Sequence, residues 1–175
     1  MKQLLNSIRP QGNKQPIAKQ ICFSTLFLLF GFSVGVVIKL LDIYTQNLGN
    51  IFSQMSIWIF LCTVISAGSY SPYRAGVNVF LFSCGMLVTY YLTAVITKSV
   101  YSVAFIYGWA VFSVFTPIFA FTAWYGKGKG FISKIIVFGI VAFMLICATI
   151  MFDKIRLSDI IFVGLTVLYM FAKRK

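Results

Sequence analysis

The sequence predicts an all-α polytopic membrane protein with six transmembrane helices and both termini on the cytoplasmic side. Three observations lead there. Of its 175 residues, 60% are hydrophobic and only 10% charged, with a mean hydropathy of +0.93; a soluble domain carries about 25% charged residues. The apolar residues gather in six runs, most of them close to the roughly 20 residues that a helix needs to cross a bilayer. The 15 lysines and arginines fall unevenly between alternate loops, the bias that orients membrane helices. No run shows the roughly ten-residue alternation of a membrane barrel, so the runs are read as helices.

Residues 1–20 form a cytoplasmic tail. Leu4, Leu5 and Ile8 suit a short amphipathic turn, and "RPQGNKQP" follows as a loose linker. Such a tail is expected to lie frayed near lipid headgroups, with a partner-docking helix as the sharper alternative. The remainder, 21–175, is one six-helix transmembrane domain. The first run, 21–41, is too long for a signal-peptide core and ends in Lys39-Leu40-Leu41-Asp42 without a small-residue cleavage pattern. It carries Gly31 and Gly35, a GxxxG pair that lets helix backbones approach closely, inside the chain or against another subunit. The second run, 51–68, has a polar start. The hairpin "SYSPYRAG" closes it: Pro72 breaks the helix, Tyr70 and Tyr73 suit a headgroup belt, and Arg74 pairs with phosphate.

The third run, 75–97, holds Asn78 one turn inside. A buried amide in hydrocarbon needs a partner, so an interhelical hydrogen bond is expected, with a polar pathway as the alternative. The fourth, 100–125, contains Pro117, which removes a backbone donor and frees the Ser113 carbonyl. Ser113 and Thr116 stand ready to satisfy that kink, and a gating hinge is the functional alternative. The fifth run is 131–152. The sixth, 157–172, is short and reads as re-entrant or as thinning the bilayer locally. With an inside N-terminus and six crossings, the inner side receives Lys2, Arg9, Lys14, Lys19, Arg74, Lys127, Lys129, Lys134, Lys173, Arg174 and Lys175, eleven of the fifteen basic residues. The outer side receives Lys39, Lys98, Lys154 and Arg156, together with all three acids, Asp42, Asp153 and Asp159.

The absences exclude chemistry. Without histidine or glutamate, His-based triads and His-ligated zinc proteases are ruled out. The cysteines Cys22, Cys62, Cys84 and Cys147 are scattered inside or at the edge of apolar runs, where a thiol behaves as a small apolar group. No enzyme activity, metal or cofactor is expected. The net charge of +12 reads as membrane topology, so no nucleic-acid partner is expected. The loop "YGKGKGFISK" lacks the Walker spacing. It reads as a positive-inside turn on anionic lipid, or as a docking point for an acidic partner or a nucleotide.

Trp58, Tyr91, Tyr107 and Trp109 fall in the outer halves of their runs, and the two tryptophans lie deeper than an interfacial belt requires. Aromatic rings with a few polar groups line small-ligand pockets, so these four are the candidate ligand-binding residues. An outer acid, Asp42 or Asp159, would favour a cationic ligand, unless Lys39 or Arg156 already pairs with it. Arg74, Asn78 and Pro117 are the structural or pathway positions, and Gly31 and Gly35 the packing positions.

In length, helix number and inside termini, the layout is similar to the substrate-binding subunits of energy-coupling-factor vitamin importers. The resemblance implies capture of a small ligand from outside and docking on a cytoplasmic-side energising module through small residues of the first helix, here Gly31 and Gly35. The alanine-spaced docking motif of that family is absent. The expectation is therefore a plasma-membrane protein that handles a small solute, as transporter, channel or ligand-capturing subunit. The alternative is a non-catalytic accessory subunit of a larger membrane complex. Its partners are the lipid bilayer, a small-molecule solute and a protein docked through the first helix or the Gly126–Gly130 loop.

Overall fold

The computed structural model describes residues 7–13, 15–45, 54–101 and 103–172. They form six helices: α1 (Ile17–Tyr44), α2 (Met55–Gly68), α3 (Pro72–Ile96), α4 (Val103–Gly126), α5 (Phe131–Phe152) and α6 (Leu157–Phe171). The expected Leu4–Leu5 turn, the start of the second run at Ile51 and the terminal Lys173, Arg174 and Lys175 lie outside the described residues.

Four helices are long and apolar enough to cross a membrane: α1, α3, α4 from Ile106, and α5 to Ile150. At 1.5 Å per residue, α2, with 14 residues, and α6, with 15, are about 21 and 22 Å long, short of a hydrocarbon core of about 30 Å. The exterior is apolar: Leu26, Leu29, Val88, Leu92, Val114, Phe138 and Ile146 are exposed, whereas Ser56, Ser133, Thr166 and Asn78 are buried. Lipid solvates such a surface, and polar groups turn inward because each needs a partner there.

Helix ends follow local chemistry. The expected break falls between α2 and α3, and Pro72 is itself the first residue of α3; an N–H missing in the first turn costs nothing, and the ring's fixed φ suits the helix. At the end of α3, Lys98 takes φ 51°. Its N–H donates to the Val95 carbonyl, and the Ser99 N–H to that of Ala94, closing the helix as a Schellman motif. Asp153 ends α5 in the left-handed region, φ 55°. Gly130 precedes α5 at φ 93°, a conformation that favours glycine.

The chain forms two units: Met1–Lys14 with Gln54–Gly76 and Ile118–Lys175, and Gln15–Ser53 with Val77–Pro117. In the first unit α2, α5 and α6 pack on one another, with Ala67, Val137 and Met170 at the centre and Ile140 and Tyr169 against them. The tail expected to fray is docked in this unit where it is described. Ile8 and Arg9 are buried, the Gly12 N–H donates to the Tyr70 carbonyl at 3.0 Å, and the Lys129 N–H to the Ile8 carbonyl at 2.8 Å. The N-terminal segment, the α2–α3 turn and the α4–α5 loop thus meet at one end. The physical reason is Arg9. Its Nη1 donates to the Trp124 carbonyl at 2.7 Å and its Nη2 to the Ala67 carbonyl at 2.8 Å. Both are last-turn carbonyls, which carry the negative end of their helix dipoles and have no partner in their own helix. The guanidinium also lies 4.0 Å from the Trp124 ring centroid. Burial pushes it down from its ordinary value to about 10, against the opposing effect of the Tyr169 phenol, and it stays charged at neutral pH.

Candidate functional site

The second unit is organised by one stripe of α1. Its buried residues are Gln20, Ser24, Gly31, Gly35, Ile38 and Lys39, mostly small or polar and mostly at spacings of four and seven, which place them on one face. At Gly31 an added Cβ would fall on the Phe82 carbonyl, and at Gly35 on the Met86 carbonyl and the Thr89 hydroxyl. From the other side, a Cβ on Gly85 would lie 2.7 Å from the Leu28 carbonyl. The two backbones therefore touch at the middle of the α1–α3 seam, where no side chain or solute fits. Thr89 Oγ1 crosses it, donating toward the Phe32 carbonyl at 2.9 Å.

Polar groups lie on both sides of this closed middle. On one side Ser24 Oγ donates to Asn78 Oδ1 at 2.9 Å, an interhelical bond between two buried residues. On the other, one turn beyond Gly35, the same face presents Lys39. Its side chain is 2% exposed, and its Nζ lies 2.8 Å from Asp42 Oδ2, 3.2 Å from the Val100 carbonyl and 5.1 Å from the centroid of the Tyr90 ring. Asp42 Oδ2 also accepts from the Tyr90 hydroxyl at 3.4 Å. Tyr90 meets Tyr91 edge to face at 5.2 Å, and Tyr91 meets Tyr101 at 6.2 Å. A carboxylate, a carbonyl and an aromatic face are the three groups that recognise an ammonium ion. Here they hold the chain's own.

Of the four aromatic residues singled out in the sequence, Trp58 belongs to the first unit and the other three to the second. Trp58 is buried, Tyr91 and Trp109 are half-buried, and Tyr107 is 69% exposed. Tyr91 stands in the tyrosine row beside Lys39, and Trp109 packs on Phe112 of its own helix at 5.9 Å. At Pro117, α4 continues without a break. The Ser113 carbonyl that lacks its backbone donor there accepts instead from Thr116 Oγ1 at 2.7 Å. Arg74 is half-buried, and its backbone N–H donates to Ser71 Oγ at 3.3 Å.

The first unit holds a second polar cluster, where α2 and α6 begin. Asp159 is 2% exposed and Ser56 fully buried. Ser56 Oγ donates to Asp159 Oδ1, and the Arg156 N–H donates to Asp159 Oδ2 at 2.9 Å. With its amide nitrogen turned toward the oxygens, Gln54 donates to Ser158 Oγ at 2.7 Å and to Asp159 Oδ1 at 3.2 Å, and accepts from Arg156 Nη1 at 3.0 Å. The Asp159 carboxylate thus reaches back to the backbone N–H that precedes α6, and both of its oxygens are satisfied, so this acid is built into the fold.

Sequence reasoning missed the burial of Lys39 and Arg9 and the roles of Tyr90 and Tyr101. For Lys39 a signal existed: Gly31, Gly35 and Lys39 repeat every four residues. For Arg9 none did, because its acceptors are backbone carbonyls 58 and 115 residues away in the chain. Among the described residues, no group of three or more metal-ligating side chains stands together. No protein-family model matches the chain, and neither a curated protein nor a solved structure is similar to it.

Proposed function

We propose that this chain is a non-enzymatic, multi-pass protein of the plasma membrane that handles a small solute at the Lys39–Asp42 cluster. All six helices cross, with both termini inside. One observation carries the reading: an ion pair whose lysine is 2% exposed sits at the end of an apolar helix, inside a row of tyrosines. Ionisable groups in membrane helices are expensive, and they mark solute or ion pathways. The topology draws on the eleven-to-four basic bias and on the joining of residues 8–12, 70 and 129 at one end of the first unit. The short α2 and α6 then cross with local thinning of the bilayer. Tyr91 lines the solute site. Tyr107 and Trp109, of the same unit, form its apolar surround, and the exposed Tyr107 takes the headgroup level, where a phenol keeps its hydroxyl wet.

The test is a thermal-stability screen of the purified chain in nanodiscs against neutral, cationic and anionic small solutes, followed by uptake into proteoliposomes. At least one solute class is expected to raise the unfolding temperature, and replacing both Lys39 and Asp42 is expected to abolish that response. If no solute has an effect, the accessory-subunit reading replaces this one. Topology is read separately from single cysteines placed at Asn13, Gln46 and Lys129 in a cysteine-free background. Impermeant maleimide on intact cells is expected to label Gln46→Cys alone, and labelling of Lys129→Cys would overturn the threading.

A further inference from the structure

We propose that the solute recognised at this cluster is an organic ammonium ion, with Asp42 as its charge partner and Tyr91 and Tyr101 as its aromatic walls. The inference rests on the solute-handling reading above and names the class of solute. Three observations carry it.

The first is chemical. The chain already seats an ammonium among these groups, bonded to a carboxylate and a carbonyl and lying over a ring, so the surroundings suit that ion. The second is an asymmetry in the ion pair. The Lys39 side chain is 2% exposed and that of Asp42 is 38% exposed, so the charge presented to an incoming solute is negative. A carboxylate solute would meet repulsion there, and a neutral one would gain no charge partner. The third is the distribution of bonds on Asp42. Lys39 Nζ and the Tyr90 hydroxyl both converge on Oδ2, and among the described residues none donates to Oδ1. One carboxylate oxygen is thus used internally while the other remains an acceptor.

Beside it, the edge-to-face row offers further rings. Tyr91 is half-buried and Tyr101 is 44% exposed, so a cation with an apolar body can lie against them. Lys39 acts as a resident competitor. It keeps the carboxylate paired when no solute is present, which avoids the large cost of an isolated charge. It also weakens binding through like-charge repulsion.

The experiment compares three probes of one shape on the full chain in nanodiscs at equal ionic strength: phenethylammonium, 2-phenylethanol and phenylacetate. Only the ammonium is expected to raise the unfolding temperature of the wild type. Asp42→Asn alone strands a buried ammonium, so the double variant Lys39→Met/Asp42→Asn, which removes both charges, carries the main test. It is expected to fold and to lose at least about tenfold in ammonium affinity. Tyr101→Leu is expected to weaken binding several-fold, and Lys39→Met alone to strengthen it. An unchanged ammonium response in the double variant would overturn the assignment. A response to the alcohol or the carboxylate without one to the ammonium overturns the charge class but leaves solute handling standing. Silence from all three probes overturns this inference, and the broad solute screen then decides solute handling by itself.

Discussion

Arg9→Met tests the contact on which the first unit closes. The substitution keeps an unbranched apolar stem and removes the guanidinium. Two charge-assisted bonds, at 2.7 and 2.8 Å, are lost, and the Trp124 and Ala67 carbonyls lose that donor in a buried setting. Each stranded group costs about 1–3 kcal/mol, and the stacking on Trp124 adds about 0.5–2 kcal/mol. Against this, the variant no longer desolvates a guanidinium, a penalty of several kcal/mol. The net loss is expected at about 2–4 kcal/mol, a fall in unfolding temperature on the order of 5–10 °C. Arg9→Lys is expected to lose about half as much, because a single ammonium lacks the planar fork that spans two carbonyls. The assay is thermal unfolding in nanodiscs, with labelling of a cysteine at Asn13 to report release of the segment. The difference between wild type and Arg9→Met is expected to be flat between about pH 6 and 9. The folded-state value near 10 lies below the ordinary one and both lie above that window, so neither state exchanges a proton there; only above about pH 10 does stability rise through this group. An Arg9→Met protein that unfolds with the wild type and labels no faster would refute the reasoning.

Two further outcomes test the helices of the second unit. Thr116→Val is expected to cost about 1 kcal/mol by stripping the Ser113 carbonyl of its hydroxyl donor. In a Pro117→Ala background the returning backbone N–H should remove most of that cost, and a double-mutant cycle without coupling would show that the hydroxyl does not serve the proline. Gly35→Val should abolish folding or cost more than about 3 kcal/mol, since its Cβ would meet α3 backbone that has no room to yield. Gly139→Ala, which meets open space on α5, is the matched control, measured by the fraction of protein that runs as a single species in detergent.

Several features were legible in the sequence because they depend on local composition. Phe131–Phe152 forms the fifth helix, in agreement with the run 131–152, since an apolar run bounded by Gly130 and Asp153 has few alternatives. The other helix boundaries shift by a few residues where a cap or a proline decides them. Pro72 shows why: its ring excludes it from a helix interior but suits a first turn, and only the path of the chain selects between the two. The start of α2 was less legible, because Gln54 stands just before the helix and takes part in a polar network with Ser158 and Asp159, whereas α6 matches the run 157–172 to within one residue.

The sequence by itself determined the solvent, an all-helical chain and the excluded chemistries, because apolar content, helix-length runs and the absence of histidine do not depend on how the chain folds. Only the tertiary structure decided which polar groups meet. Asp42 could have paired with Lys39 or stood apart from it, and Gly31 and Gly35 could have faced another subunit or α3. The close approach of α1 to α3 resolves both: once the glycines bring the two backbones into contact, the next turn carries Lys39 into the seam beside Tyr90. Arg9 finds its acceptors only where the ends of α2 and α4 lie side by side. Pairings of this kind join residues tens of positions apart and depend on distances of about 3 Å, which helix periodicity within a single run does not encode.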